Sequence, residues 1–382
     1  MPEYTRENTL RIAKRFHNRK RTYLLVNPLQ AKHIPVSPTR ALAMMNALGD
    51  RLAGRYPDTR LVIGFAETAT AIGAAVAGRI SPDCVYLHTT REDFPAAEGW
   101  IEFQEEHSHA VEQKLSGDAL ERWLPATDTV ILVDDEISTG KTLRNMVSEL
   151  KKRYPLLGEK RIVAASLLNR VSPENEALLE EAGIHSEYLV KLPQEDYTAL
   201  VEALEIHEAE AVTPRPWSLH QGDTVLPALA DPRLGLTAEE WQHSCAALAD
   251  TFLARAGEAC PPNSRTLVLG TEECMYPALV LGQALERLGE GRQVFCHATT
   301  RSPIGICGAE GYPIVSGRKL PSFYQKDRTT YLYDLADYDC IVVVSDTPEP
   351  GTGALEALLS AFPANPARKV FYLQGGQHVW YL

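Results

Sequence analysis

The stretch that decides the fold is Val130-Ile131-Leu132-Val133-Asp134-Asp135-Glu136-Ile137-Ser138-Thr139-Gly140-Lys141-Thr142. Its apolar start shows no alternation, which predicts a strand buried on both faces of a parallel sheet. Two acids follow, and then a turn of small residues opens a predicted helix over residues 139–152. Ligands of open α/β sheets bind at the carboxyl ends of the strands. The stretch therefore predicts an α/β fold with a ligand site at its acids and turn.

Each part of this segment suits one part of a phosphorylated sugar. Asp134 and Asp135 can accept hydrogen bonds from two vicinal hydroxyls, and together they can hold Mg²⁺ through water. The turn offers backbone N–H groups and hydroxyls to a phosphate at a helix N-terminus, and Gly140 permits a close backbone approach. The candidate phosphate-loop residues are Ser138, Thr139, Gly140, Lys141 and Thr142.

Two other interpretations of the same segment stay open. Gly140-Lys141-Thr142 is also the ending of a Walker A loop, but that loop has a glycine where this chain has Asp135. A carboxylate there would repel a triphosphate. An acidic turn that only caps a helix is the second alternative.

Composition limits the function classes. The 382 residues are about twice the usual domain length, and 45% hydrophobic residues are typical of a folded globular protein. No apolar run approaches the roughly 18 residues of a membrane span, and the N-terminus lacks a signal-peptide core, so we expect a cytoplasmic protein without a membrane partner. The net charge of −12 disfavours a nucleic-acid partner.

The N-terminus is the exception to the acidic balance. Its basic residues are Arg6, Arg11, Lys14, Arg15, Arg19, Lys20 and Arg21. We expect a solvated helix over residues 1–21 that leads into a strand at residues 22–26. A nucleic-acid arm and a subunit contact are the alternatives.

The chain repeats its order of elements, which is the signature of a duplication. The matching segments are residues 61–69 with 267–275, 84–91 with 294–301, 130–135 with 341–346, and 161–165 with 369–373. In a gapless alignment Gly140 falls opposite Gly351. Strands that alternate with helices imply parallel sheets covered on both faces. We therefore predict two doubly wound parallel-sheet domains related by internal duplication.

The connection between the halves is irregular. Residues 199–211 are rich in Glu and Ala and predict a helix, and the prolines and glycine that follow mark a linker. We predict a basic N-terminal helix at 1–21, a first domain at 22–212 and a second domain at 213–382.

The segment at 130–142 resembles the phosphoribosyl-pyrophosphate (PRPP) signature of type I phosphoribosyltransferases. The resemblance implies a doubly wound sheet with a hood, and Mg-dependent transfer of phosphoribosyl between PRPP and a nitrogen base, in either direction. It implies catalytic roles for Asp134 and Asp135. It also implies a pyrophosphate loop after an earlier strand, which here holds Glu67, Thr68 and Ala69.

Two details of the resemblance bear on the substrate, a base or nucleotide that the sequence does not identify. Thr90-Arg91-Glu92 is similar to the basic segment of orotate-type members, which implies that Arg91 is catalytic. Purine-salvage members carry an aspartate at the place of Ser138, where it manages a proton on the base. Serine cannot do so, and an anionic acceptor or another proton carrier fits better. The roles of His107, His109 and Lys114 in the hood stretch at 93–120 stay open.

Thr300-Arg301-Ser302-Pro303 spells the motif of the TRSP domain, which extends the resemblance to nearly the whole chain. TRSP domains follow phosphoribosyltransferase domains in bacterial tellurium-resistance and stress-response gene clusters. The resemblance implies the biosynthesis of a ribosylated metabolite.

The second copy of the acid pair is altered, because Ser345 stands where the first acid would be. The candidate anion site of this domain is Arg301, Ser302, Asp346, Gly351, Thr352 and Gly353. The hood-like stretch at 305–324 also has residues suited to an anion, namely Arg318, Lys319, Ser322 and Tyr324. The three alternatives are a repurposed domain that binds a phosphorylated or carboxylated ligand, a purely structural or dimerising partner (a homodimer is possible), and a second catalytic centre. For the whole chain, the rival of an enzyme is a non-catalytic regulator of the same fold that binds PRPP or nucleotide.

Overall fold

The computed structural model describes residues 3–16, 22–93, 99–104, 111–256, 260–347 and 353–382. Its strands are β1 (Arg11–Lys14), β2 (Tyr23–Val26), β3 (Leu61–Gly64), β4 (Val85–His88), β5 (Trp100–Gln104), β6 (Val111–Ser116), β7 (Thr129–Ile137), β8 (Arg161–Asn169), β9 (Ile184–Lys191), β10 (Glu210–Ala211), β11 (His220–Val225), β12 (Leu236–Thr237), β13 (Arg265–Gly270), β14 (Gln293–Ala298), β15 (Gly317–Pro321), β16 (Thr329–Tyr333), β17 (Cys340–Ser345), β18 (Lys369–Gln374) and β19 (His378–Tyr381). Its helices are α1 (Arg6–Thr9), α2 (Pro38–Arg55), α3 (Thr70–Ile80), α4 (Gly117–Trp123), α5 (Lys141–Arg153), α6 (Pro173–Glu181), α7 (Thr198–Glu202), α8 (Ala238–Ala256), α9 (Tyr276–Arg287) and α10 (Ala354–Ser360). Short 3₁₀ helices lie at Leu124–Ala126, Pro155–Glu159 and Pro232–Leu234.

The chain forms two compact units, and neither is continuous in sequence. Unit 1 consists of Met1–Arg6, Ala43–Gln194 and Ala230–His243. Unit 2 consists of Glu7–Leu42, Glu195–Leu229 and Ser244–Leu382. The domain division at residue 212 remains a prediction.

Unit 1 is built on a six-stranded sheet in the order β12-β4-β3-β7-β8-β9. All neighbours are parallel except β12, which pairs antiparallel with β4 at the edge. The residues of β3 are buried throughout, as are the first five of β7, because helices cover both faces. Met146 and Leu150 of α5 pack against this core, and a buried side chain of that size contributes about 1.5–3 kcal/mol. The predicted α/β class is confirmed.

Unit 2 carries a second six-stranded sheet in the order β11-β19-β18-β17-β13-β14. The four strands β18-β17-β13-β14 are parallel, and they repeat the order β8-β7-β3-β4 of unit 1. The next strand differs, since β19 is antiparallel to β18 whereas β9 is parallel to β8. The shared order is what a duplication predicts, and the duplication itself stays a prediction.

Each unit also contains smaller sheets, and in unit 2 one of them is the antiparallel pair of β1 and β2. In unit 1, β5 and β6 form a hairpin in the predicted hood. In unit 2, β15 and β16 form a hairpin, and β10 adds to it as a parallel third strand. His107 and His109 lie outside the described residues.

Two predicted helices are wrong. The helix of the basic N-terminus has only the four residues of α1, and β1 then pairs with β2. Ala13 of β1 is fully buried in a cluster with Val26 of β2 and Ile304. Arg19, Lys20 and Arg21 lie outside the described residues. The helix expected at 199–211 ends at Glu202, and Glu210 instead pairs with Arg318 of β15. In both places strand pairing overrides local helix propensity.

All seven cysteines are buried, and none of them forms a disulfide. No helix among the described residues has the length and apolar character needed to cross a membrane.

Candidate active site

The sheet of unit 1 brings three loops to one edge. Strands β4, β3 and β7 are parallel neighbours, so the segments that follow them emerge side by side. These segments contain the predicted pyrophosphate loop, the Thr-Thr-Arg segment and the acid pair. The predicted site residues of the first domain therefore share the carboxyl edge of this sheet, as the doubly wound fold requires.

The acid pair lies within β7 rather than after it. Asp134 pairs with Ser166 of β8, and both Asp134 and Asp135 are half-buried. The backbone N–H of Asp135 donates to Oδ1 of Asp134 at 2.9 Å. Burial, and next the negative charge of Asp135, raise the pKa of Asp134 well above its ordinary value. Two adjacent carboxylates repel each other, and a bound cation or hydroxyl donors would stabilise them.

The loop after β7 is open to solvent. Ser138, Thr139, Lys141 and Thr142 are exposed, while Gly140 is buried and immediately precedes α5 with a φ of 67°. A Cβ at position 140 would lie 2.9 Å from Cδ2 of Leu179, so both its dihedral angle and its surroundings require glycine. The backbone N–H of Lys141 donates to the Thr139 hydroxyl at 3.3 Å. The loop therefore presents hydroxyls and a helix start to a phosphate.

The predicted pyrophosphate loop is bonded to the acid pair. The hydroxyl of Thr68 donates to Oδ1 of Asp135 at 2.8 Å. On its other side, the backbone N–H of Ala66 donates to the hydroxyl of Thr89 at 2.8 Å. Glu67 and Ala69 are buried in the same loop. The loop is thus held between the ends of β4 and β7.

The hood hairpin is attached beside Arg91. Thr90 and Lys114 exchange backbone hydrogen bonds of 2.9 and 2.7 Å, and the Lys114 ammonium pairs with Asp93. Arg91 itself is partly buried. A hairpin anchored at this point can cover whatever lies on the loop after β4.

The acid pair fits magnesium held through water better than a complete protein cage. Among the described residues no group of three His, Cys, Asp or Glu side chains is placed to hold a metal ion. Mg²⁺ commonly takes one or two carboxylates and leaves its other positions to water and substrate phosphates. Asp134 and Asp135 supply such carboxylates, and a divalent cation would relieve the repulsion that raises the pKa of Asp134.

Unit 2 repeats the backbone pattern of this edge with different side chains. The N–H of Glu272 donates to the Thr299 hydroxyl at 2.9 Å, as Ala66 does to Thr89. At the end of β17, Ser345 is buried, and the Tyr324 hydroxyl donates to the carboxylate of Asp346. Burial and the charge of Asp346 raise the pKa of Tyr324 well above its ordinary value.

The predicted anion site of unit 2 is assembled only in part. Arg301 lies at this edge, but its Nε is 3.2 Å from Oε2 of Glu272 and its Nη2 is 3.6 Å from Oε1 of Glu273. Gly353 immediately precedes α10 with a φ of 73°, as Gly140 precedes α5 with a φ of 67°. Gly351 and Thr352 lie outside the described residues.

Sequence reasoning named Ser322 as suited to an anion, but it missed Lys32, Glu272 and Arg328 of unit 2. At this edge Lys32, Ser322 and Arg328 each donate a hydrogen bond to Glu272. They come from distant parts of the chain, and no local spacing connects them. The signal that could have found Glu272 is the repeat itself, since it places an acid opposite Ala66.

Comparisons with known proteins bear on both halves of the chain. The family described as phosphoribosyl transferase matches residues 9–193, and the TRSP domain, described as C-terminal to that family, matches residues 230–362. No curated protein is significantly similar in sequence.

Several solved structures are similar to about half of the chain. Adenine phosphoribosyltransferase from Giardia lamblia, solved with 9-deazaadenine, is 17% identical with a TM-score of 0.34, over 48% of this chain and 93% of that one. Orotate phosphoribosyltransferase from Aeropyrum pernix is 19% identical with a TM-score of 0.27, over 40% and 73%. The two family matches follow one another along the sequence in the order that the Thr-Gly loop and the TRSP motif indicate. The chain therefore contains a domain of the phosphoribosyl transferase family at residues 9–193, followed by a TRSP domain at residues 230–362.

Proposed function

We propose that unit 1 transfers a phosphoribosyl group between PRPP and a nitrogen base in the presence of Mg²⁺. The observation that carries this proposal is the hydrogen bond between Thr68 and Asp135. It joins the loop expected to hold pyrophosphate to the acids expected to hold ribose. A single PRPP molecule has both groups, separated by one bond at C1, so the two loops must lie together.

The proposed contacts divide PRPP into three parts. Pyrophosphate lies against Glu67, Thr68, Ala69 and Arg91. The ribose hydroxyls bind Asp134 and Asp135, which also hold Mg²⁺ through water. The 5-phosphate binds the loop of Ser138, Thr139, Gly140, Lys141 and Thr142 at the start of α5.

The chemistry then rests on positioning and charge. A nitrogen of the acceptor forms a bond to C1 of ribose, the bond from C1 to the pyrophosphate oxygen breaks, and the electron pair leaves with pyrophosphate. Arg91 and the loop amides stabilise the leaving charge. Bound Mg²⁺ would add positive charge on the same oxygens. Asp134 and Asp135 orient the ring and place negative charge near the sugar, which becomes cationic in the transition state.

Ser138 bears on the acceptor. It is exposed beside the acid pair, and a serine hydroxyl does not take a proton at neutral pH. We therefore propose an acceptor whose nitrogen is already anionic, or a proton carrier other than residue 138. The same site serves the reverse reaction, in which pyrophosphate splits a nucleotide.

The resemblance to the TRSP domain also bears on the biological context of the reaction. We propose on this resemblance that the reaction belongs to the cytoplasmic biosynthesis of a ribosylated metabolite, encoded in a bacterial tellurium-resistance or stress-response gene cluster.

The test is Mg-dependent release of pyrophosphate from PRPP across a panel of nitrogen bases. We expect at least one anionic or orotate-like acceptor to give release that the Asp134→Asn, Asp135→Asn variant lacks. PRPP binding of ordinary affinity without release for any base would instead support the non-catalytic regulator.

A further inference from the structure

We propose that the carboxylate of Glu272 occupies, in unit 2, the place that pyrophosphate takes in unit 1. Unit 2 then excludes PRPP, and each chain binds one molecule of it. The location of that place rests on the proposed function of unit 1, whereas the contacts of Glu272 stand on their own.

The backbone defines the equivalence of the two loops. In unit 1 the N–H of Phe65 donates to Val133 O at 2.9 Å, and in unit 2 the N–H of Thr271 donates to Val344 O at 3.2 Å. The next N–H in each loop, of Ala66 and Glu272, donates to the threonine hydroxyl after the neighbouring strand. Glu272 therefore stands where unit 1 has the methyl group of Ala66.

The carboxylate of Glu272 is fully buried and bonded on both oxygens. Its Oε1 accepts from the Ser322 hydroxyl at 2.6 Å and from the N–H of Phe323 at 3.3 Å. Its Oε2 accepts from Nε of Arg301 and from Nη1 of Arg328, both at 3.2 Å. Two guanidinium groups, a hydroxyl and a backbone amide are donors that proteins use for phosphate groups. The chain here supplies its own anion to an anion site.

The loop is also fixed from its backbone side. Nζ of Lys32 donates to the carbonyl oxygen of Glu272 at 2.8 Å and to that of Thr299 at 2.9 Å, and Lys32 is fully buried. Glu272 has a φ of 47°, which is uncommon for a residue other than glycine. A backbone held in such a conformation by this many contacts is a constrained feature of the fold.

The arrangement excludes a second anion. A phosphate that approached Arg301 would have to displace a buried, fully bonded carboxylate, and Glu273 beside it adds a second negative charge. Removing a buried ion-pair partner is costly because it leaves uncompensated charge behind. Any ligand that unit 2 binds next to Asp346 therefore lacks a pyrophosphate group at this place.

The experiment is calorimetric titration of the full chain with inorganic pyrophosphate and Mg²⁺. We expect one site in the wild type and two in Glu272→Ala, because Arg301, Arg328 and Ser322 then accept the added anion. Glu187→Ala is the matched control. Glu187 is a buried carboxylate of β9 that pairs with Arg55 at 2.6 Å and Arg51 at 3.6 Å, and its removal should add no site.

The outcomes separate the two claims. Two sites in the wild type, no added site in a folded Glu272→Ala, or an added site in Glu187→Ala would each overturn the inference. No site in the wild type but one in Glu272→Ala would contradict the proposed function of unit 1 and support the inference.

A wild-type crystal soaked with Mg²⁺ and pyrophosphate gives a second measurement if Glu272→Ala does not fold. We expect Glu272 to keep both arginines, and anion density between Arg301 and Arg328 would overturn the inference.

Discussion

The hydroxyl of Thr68 donates a 2.8 Å hydrogen bond to Oδ1 of Asp135, and so ties the loop after β3 to the acid pair of β7. Parallel neighbours in a sheet bring their carboxyl ends together, but they do not fix the side chains there. This bond sets the orientation of Asp135. Thr68 is thus a positioning residue for the acids as well as a proposed pyrophosphate contact.

Thr68→Val should weaken PRPP binding about three- to tenfold, because it removes a hydrogen bond to a carboxylate, and a factor of ten corresponds to about 1.4 kcal/mol. Thr68→Ser keeps the hydroxyl and should restore most of the affinity. Thr127→Val is the control, since Thr127 also donates one hydrogen bond, to Trp123 O, outside the site. Calorimetry with Mg²⁺ and PRPP measures all three, and equal affinity for Thr68→Val and wild type would refute the positioning role.

Asp134→Asn should raise the melting temperature of the ligand-free protein at neutral pH. Burial and the charge of Asp135 raise the pKa of Asp134, so the folded state binds this proton more tightly than the unfolded state does. The stability that this proton adds is complete below the pKa of Asp134 in the unfolded state. It is lost as the pH rises through the pKa of Asp134 in the folded state. Asparagine removes this loss of stability, and each kcal/mol raises the melting temperature by about 2–4 °C for a folding unit of the size of unit 1.

The measurement is melting temperature against pH for Asp134→Asn, with Asp58→Asn, an exposed acid, as the control. The gain at position 134 should shrink as the pH falls. A lower melting temperature for Asp134→Asn at neutral pH would contradict the raised pKa of Asp134.

Gly140→Ala should destabilise the protein by about 1–2 kcal/mol, because its φ of 67° is left-handed and its new Cβ would meet Leu179 at 2.9 Å. Gly158→Ala is the control, since a Cβ there meets nothing within 4 Å. Thermal unfolding compares the two. Equal melting temperatures would mean that residue 140 does not adopt this conformation.

Hypoxanthine and guanine should be poor acceptors for the wild type, because Ser138 cannot take a proton from the base. Ser138→Asp should raise the rate of pyrophosphate release with hypoxanthine. Ser138→Asn should not raise it, because asparagine has the size of aspartate but lacks its charge. Efficient turnover of either purine by the wild type would show that another residue carries the proton.

The strand runs and the loop at 130–142 made the fold class and the family predictable from the sequence. Both are local signals: an unbroken apolar run indicates burial on both faces, and the resemblance to the family rests on two acids before a Thr-Gly turn. The order β8-β7-β3-β4 and its repeat in unit 2 agree with the repeat that the segments show.

The exchange of segments was not predictable. Residues 7–42 belong to unit 2 and residues 230–243 to unit 1, so Lys32 reaches the loops of Glu272 and Thr299 far along the chain. Pairings over such distances leave no periodicity in the sequence. The same reason explains why β1 and β10 replace expected helices, and why the internal partner of Arg301 was missed.

The most direct test of the central claim, that the acid pair of β7 is the ribose site of PRPP, is calorimetric binding of PRPP with Mg²⁺ to Asp134→Asn, Asp135→Asn and to wild type. The account predicts at least a tenfold loss of affinity, about 1.4 kcal/mol or more, in a double variant that remains folded by circular dichroism. Unchanged affinity in that folded variant would contradict it.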